Sequence, residues 1–353
     1  MIKNNDSIDL LRVFCAILVV GIHTDPFGRY QILFSPIERT AVPIFFIMSS
    51  YFLFKRLMTT LEKNKVIMKF VKKNLLFYIT WFIVLFPITW HMRDYYHRGF
   101  KEAIVQTVYC FLFDSTFRAS WFVMALIIGT LIVYYCSSAL GNNVTFLLGM
   151  FCYIICVISS NYIALNENFV NLHMFTSFPV SIIWIFAGKM IAEKEDKLQE
   201  KIKSNKLFWG NIIAMAILYF EMFIIHKFGL DGGLGNDDCY FMLLLVCPAL
   251  FLLFLNINIF APFLRKARNT TKVWYCSHAS ISYLIYLLLG MNGYYAITCI
   301  PVRCAIFALV LAIGVLATIL IEKLKEKTGW QFFYYMLGES ANRRKDKQSY
   351  SLR

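Results

Sequence analysis

The sequence predicts an all-α, polytopic integral membrane protein of about ten transmembrane helices with both termini cytoplasmic. Three observations lead there. Of 353 residues, 59% are apolar and 16% charged, with 34 Phe and 20 Tyr; soluble domains run at about 45–50% apolar and about 25% charged. Ten apolar stretches are long enough to span a bilayer, at about 8–24, 39–55, 72–90, 119–138, 145–164, 173–192, 207–226, 239–258, 272–290 and 296–321. Cations are unevenly shared among the connections. With both termini placed inside, 27 Lys and Arg fall on the inner side and 7 on the outer, with Arg303 inside the last span. Cytoplasmic loops carry such an excess. The net charge of +14 therefore reports topology, and no nucleic-acid partner is expected.

The elements follow in order. The first span begins near Ile8 and runs into Thr24-Asp25-Pro26. Residues 13–22 look like the apolar part of a secretory signal, but no small-residue cleavage site follows, so the span is expected to be retained. It carries Arg12 and His23. The gap between them is three helical turns plus about 20°, which places both on one face, about 16 Å apart along the axis. Ionisable groups are costly in a bilayer, so one strip of this helix is expected to face protein or a polar cavity. Between the third and fourth spans, a charged stretch with Arg93, Asp94, His97, Arg98 and Lys101 precedes residues 102–113. That segment is too short to span and reads as an amphipathic helix on the outer surface. Residues 193–206 form a charged inner link, and 229–238 a glycine-rich acidic outer turn. A single membrane domain is expected over 1–335, followed by a basic disordered tail at 336–353.

Other polar groups within or beside spans each have two readings. Glu221 is an intramembrane acid that needs a partner, and Arg303 is a candidate by depth. Trp121, Tyr109 and Tyr294 lie near the outer surface, where they could stack on a sugar or simply belong to the interfacial aromatic belt. Seven of the ten cysteines fall within spans, and no C-x-x-C pair occurs, so neither a zinc ribbon nor a redox motif is supported. Cys239 and Cys299 could bridge near the outer face, although free thiols are the expected state.

Five segments, in order, resemble the membrane-bound acyltransferase-3 family. Ile8-Asp9-Leu10-Leu11-Arg12, followed after ten residues by His23, is similar to its first-span R-x10-H motif. Ala41-Val42-Pro43-Ile44-Phe45-Phe46-Ile47-Met48-Ser49 resembles its VP-x-FF-x-x-S-G signature, with Ser50 where glycine is usual. Val71-Lys72-Lys73-Asn74-Leu75-Leu76-Phe77-Tyr78 looks like the basic entry to the third span, with lysines in place of arginines. Ser120-Trp121-Phe122 resembles the LWFL segment, without the histidine that often precedes it. Thr271-Lys272-Val273-Trp274-Tyr275-Cys276-Ser277-His278 is similar to S-x-x-I-Y-L-I-H.

The resemblance implies transfer of an acetyl or short acyl group from cytoplasmic acyl-CoA to a hydroxyl. The implied acceptor is a cell-envelope glycan or its lipid-linked precursor, in a bacterial cytoplasmic membrane. It favours His23 as the base and Arg12 as essential to the donor site. The chemistry agrees: an imidazole with an ordinary pKa of about 6.5 suits removal of a hydroxyl proton. Arg12 can hold a phosphate or carboxylate, or pair with Asp9 three residues earlier. Lys72 and Lys73 could bind donor phosphates or flank the span as ordinary inner cations. Arg265, Lys266 and Arg268 pose a weaker version of the same choice. Tyr275 and His278 share a face, one turn apart, in the inner half of the ninth span, and so are candidates for the donor channel. Asp9, Ser49 and Trp121 are expected in supporting roles. No tightly bound cofactor and no metal are expected; acetyl-CoA enters as a substrate. Membrane lipids and biosynthetic partner proteins are the expected neighbours. A transporter or flippase using the same buried charges is the competing class, although the matched broken spans of transporters are not seen. A catalytically silent membrane partner is a third reading, kept open by Ser50 and by the residue before Trp121.

Overall fold

In a computed structural model the chain is all-α, with no strand among the described residues. The described residues are 6–92, 99–113, 117, 120–165, 174–201, 204–232, 238–291 and 297–339. Of the residues named above, Arg93, Asp94, His97, Arg98 and Tyr294 lie outside them. The helices are α1 (Asp6–Thr24), α2 (Ser35–Glu38), α3 (Ala41–Met58), α4 (Lys63–Met92), α5 (Phe100–Phe113), α6 (Trp121–Ala139) and α7 (Gly141–Ile158). Then come α8 (Phe178–Lys201), α9 (Ser204–Phe228), α10 (Leu243–Asn256), α11 (Ala267–Leu288), α12 (Ile300–Thr328) and α13 (Gln331–Met336).

Each of the ten apolar stretches coincides with one of these helices. Among the described residues, seven helices are long and apolar enough to cross a membrane by length and composition. The other three have specific reasons to fall short. The helix α8 runs on into the charged segment Glu193–Lys201, α10 has only 14 residues, and α11 carries Arg268, Lys272 and His278. The expected surface helix is α5, whose Val105, Tyr109 and Leu112 are exposed while Ala103 and Cys110 are buried. No two cysteines are joined by a disulfide.

The helix α8 forms the axis of the larger core. Residues 180–186 are buried on every side, as expected of a helix that is apolar all round. Small residues let its neighbours approach. Gly129 of α6 lies over Ser181, and a Cβ on Gly149 of α7 would stand 3.1 Å from the Ile183 Cα. On the other flank, Gly188 of α8 lies against the backbone of Ile47 and the hydroxyl of Ser50 in α3. Close backbone approach through small residues is how membrane helices gain dispersion contacts, since lipid tails already satisfy apolar side chains. The Ser50 hydroxyl donates to the carbonyls of Phe46 at 2.7 Å and Ile47 at 3.0 Å. It therefore fills the usual glycine position with a group that its own helix satisfies. Helices α6 and α7 join without a loop because Gly141 takes φ +85°, a region that only glycine enters freely.

The charges at one end of the bundle tie the chain together. Asp6 and Asp9 occupy the first turn of α1, where carboxylates are favoured by the helix dipole. Asp6 accepts from Arg265 Nε at 2.7 Å and from the Ala261 N–H at 3.1 Å. Asn269 of α11 donates to Glu322 of α12 at 2.8 Å and to Glu339 at 3.3 Å. Both ends of the described chain, residues 6 and 339, thus lie at the same end of the bundle.

The packed body continues past the expected boundary at 336. Met336 and Leu337 are buried, and the Met336 carbonyl accepts from Trp81 Nε1 at 2.9 Å. Lys272 donates to the Leu337 carbonyl at 2.6 Å, and Lys325 pairs with Glu339 at 3.3 Å. A short, amphipathic return helix after a Gly329 cap had too little apolar length to register in the hydropathy pattern.

Candidate functional site

The end of α1 is set by its last residues. Asp25 takes the left-handed conformation (φ 46°), its N–H bonds the Gly21 carbonyl at 3.0 Å, and Pro26 follows. That is a left-handed helix stop, two residues beyond His23. Arg303 of α12 clamps the turn, pairing with the Asp25 carboxylate and donating to the Ile297 carbonyl at 2.6 Å. Burial pushes the Asp25 carboxyl above its ordinary range, and the Arg303 guanidinium opposes that rise.

This corrects the pairing of Arg303 with Glu221. Glu221 instead accepts the N–H groups of Phe241 and Met242 at 2.7 and 2.8 Å and the Tyr162 hydroxyl at 2.9 Å. It satisfies backbone donors at the start of α10, which would otherwise stand unbonded in an apolar setting.

Two cavities lie along α1. The larger, about 500 Å³, lies at the end where the chain termini meet. Among the described residues lining it are four cations, Arg12, Lys73, Arg268 and Lys272, and one acid, Asp9. Asp9 is buried and accepts from Arg12 at 2.5 Å and from Arg268 Nη2 at 2.6 Å. One carboxylate against four cations leaves a net positive cavity, suited to an anionic group with several oxygens. Ser49 and Gly338 also line it, so the α13 segment supplies part of the wall.

The smaller cavity, about 120 Å³, holds His23 with Trp121, Arg39 and Asp238. Arg39 and Asp238 form an ion pair at 2.6 Å. The two cavities share Phe122 and Tyr275 as walls.

His278 does not line the donor-end cavity, as its sequence position suggested. It is fully buried, with its ring centroid 4.9 Å from that of His23. Its Nδ1 lies 2.8 Å from the Trp274 carbonyl, which can only accept, so Nδ1 carries a proton and donates there. Trp274 is held in turn by Nε1 donating to the Leu311 carbonyl at 2.9 Å. The reason for the displacement is geometric. Arg268 pairs with Asp9 at the donor end, and ten residues farther along α11 is about 15 Å of rise, which carries His278 away from that cavity and beside His23. Both lysines are exposed, and of the two Lys73 lines the cavity. Tyr275, Asp9 and Trp121 line one cavity or the other. Arg39 and Asp238 carry no local signal in the sequence, because the partners of the pair lie far apart in the chain.

The chain matches the acyltransferase-3 family, described as an acyltransferase domain, over residues 5–321. It belongs to that family. Among curated proteins, it is 26% identical over 270 residues to an amino-acid racemase of Enterococcus faecalis, covering 71% of this chain and 37% of that one. It is 29% identical over 136 residues to a serine/alanine racemase of Enterococcus gallinarum, covering 36% of this chain and 19% of that one. The chain thus spans about a third or less of the length of these relatives, and their names describe those whole proteins. No solved structure matches the chain.

The contact between the imidazoles gives a first prediction for this member of the acyltransferase-3 family. His278→Gln is expected to lower turnover by roughly tenfold, well short of the ~10²–10⁴ lost with a proton-transferring group itself. The KM for the acyl donor should stay unchanged. A raised donor KM with unchanged turnover would return His278 to the donor site.

Proposed function

We propose that this acyltransferase moves an acetyl or similarly short acyl group from acyl-CoA to a hydroxyl of a cell-envelope glycan or lipid-linked glycan precursor. In this reading His23 is the general base and the membrane is a bacterial cytoplasmic membrane. All ten apolar helices span it, and both termini face the cytoplasm. The observation that carries the reading is the division of labour along α1: a four-cation cavity around Arg12 meets a second cavity around His23 at a shared wall. Coenzyme A thioesters carry phosphates at one end of a long arm and the thioester at the other. A cationic cavity about 16 Å along the helix from an imidazole suits that shape. The positive-inside count supports a cytoplasmic donor end.

The chemistry balances simply. His23 takes the acceptor hydroxyl proton as the oxygen attacks the thioester carbonyl. The new C–O bond forms, the C–S bond breaks, and the departing thiolate takes up a proton to leave as free coenzyme A thiol. Trp121 and the Arg39–Asp238 pair present an aromatic face and hydrogen-bonding groups, a combination that suits a hydroxyl-rich acceptor.

Membranes supplied with acetyl-labelled acetyl-CoA provide the test. Label should appear in an alkali-labile ester on an envelope saccharide. Lys272→Gln should raise the donor KM by roughly tenfold, in line with the loss of one charge-assisted contact to an anion. Flux of a precursor across the membrane with no label transferred would favour a flippase and overturn the proposal.

A further inference from the structure

The wall between the two cavities is aromatic, and its residues alternate in register. On α3, Phe45 lines the cationic cavity and the next residue, Phe46, lines the His23 cavity. At the start of α6, Trp121 lines the His23 cavity, Val123 lines the cationic one, and Phe122 between them lines both. Tyr275 of α11 also lines both. The Phe122 ring packs against Tyr275 at 5.4 Å, Phe46 at 4.4 Å and Phe45 at 6.1 Å between centroids. A thioester whose phosphates rest near Arg12 reaches His23 only past this cluster.

We propose that Phe122 and Tyr275 set the acyl-chain length that the enzyme accepts. The inference rests on the acyl-transfer reading above and deepens it. Phe122 is braced by rings from two helices, α3 and α11, both of which adjoin α1 in the core, so its ring cannot swing aside without displacing packed neighbours. The His23 cavity beyond it is small, about 120 Å³, and must also admit the acceptor hydroxyl. An acetyl group has one methyl to place at the wall, whereas a butyryl group adds two methylenes to the same space. Each methylene in a tight apolar site discriminates by roughly 10- to 200-fold. Exclusion of longer chains is therefore built into the partition itself and does not require a separate pocket.

The experiment measures kcat/KM for acetyl-CoA and butyryl-CoA in wild type, Phe122→Ala, Phe122→Leu and Tyr275→Phe. In Phe122→Ala the butyryl-to-acetyl ratio should rise at least tenfold with donor KM little changed, because the phosphate contacts are untouched. Phe122→Leu should lie between Phe122→Ala and wild type. It also serves as the reporting variant if the alanine form does not accumulate. Tyr275→Phe, which keeps the ring, should leave the ratio near wild type. A wild type that transfers acetyl, with ratios unchanged in both Phe122 variants, overturns the inference and leaves the acyl-transfer reading standing. A wild type that transfers no label from either donor overturns both. Equal losses with both donors would show that Phe122 supports the fold and does not select the chain, which also rejects the inference.

Discussion

Replacing His23 with alanine is expected to reduce acyl transfer by about 10²- to 10⁴-fold, the range for loss of a positioned general base. Donor binding should survive, because the cationic cavity is about 16 Å away along α1 and shares no charged group with the His23 cavity. The measurement pairs turnover with equilibrium binding of a non-transferable coenzyme A analogue. Retention of full transfer activity would remove His23 from the chemistry. Loss of binding together with turnover would mean that the substitution has disturbed α1 as a whole. The arrangement argues against that second result. The end of α1 is fixed by the Asp25 turn and the Arg303 clamp, neither of which uses the imidazole.

The largest effect on folding is expected from Gly188→Val. A side chain there meets the Ile47 carbonyl and the Ser50 hydroxyl, with the Ile47 carbonyl carbon at 3.1 Å. Backbone cannot give way as a side-chain tip can, so α3 and α8 must separate. Overpacking costs about 1–3 kcal/mol and occasionally more, and a clash with backbone places this variant at or above the upper end. Thermal unfolding in detergent, read by dye labelling of the buried thiols of Cys15 and Cys247, should begin well below the wild-type temperature. Ser50→Gly is the control. It removes a hydroxyl that bonds only within its own helix, and should cost no more than about 1 kcal/mol from backbone entropy. Labelling of Gly188→Val at the wild-type temperature would sink the idea that this contact sets the α3–α8 distance.

Much of this architecture is legible in the chain because bilayer physics writes it in long words. An apolar run of about 20 residues is hard to mistake, and every one of the ten runs holds a helix. Helix ends are another matter. The helix α4 starts at Lys63, well before the apolar stretch at 72, because Lys65 and Lys69 are good helix formers that hydropathy does not register. The helix α10 stops at Asn256 because Ile257 turns extended, which nothing in its side chain announces. Within the site, Arg12 and His23 stand out because each is costly where it sits. Arg39 and Asp238 do not, since each is an ordinary outer-loop charge until the fold brings the two to 2.6 Å. His278 was noticeable yet misplaced, because counting from the edge of an apolar stretch gives depth only when the helix begins at that edge. It begins instead at Ala267, five residues earlier than the stretch at 272.

The segment from Gln331 to Glu339 joins the packed body late. Gly338 lines the cationic cavity, and the Leu337 carbonyl holds the Lys272 ammonium at 2.6 Å. During synthesis these residues emerge after α1 to α12. Those helices can therefore be in place while the cationic cavity still lacks a wall and Lys272 its tether. Docking of this segment completes the cationic cavity, so packing of the preceding helices and closure of that cavity are separate events in time.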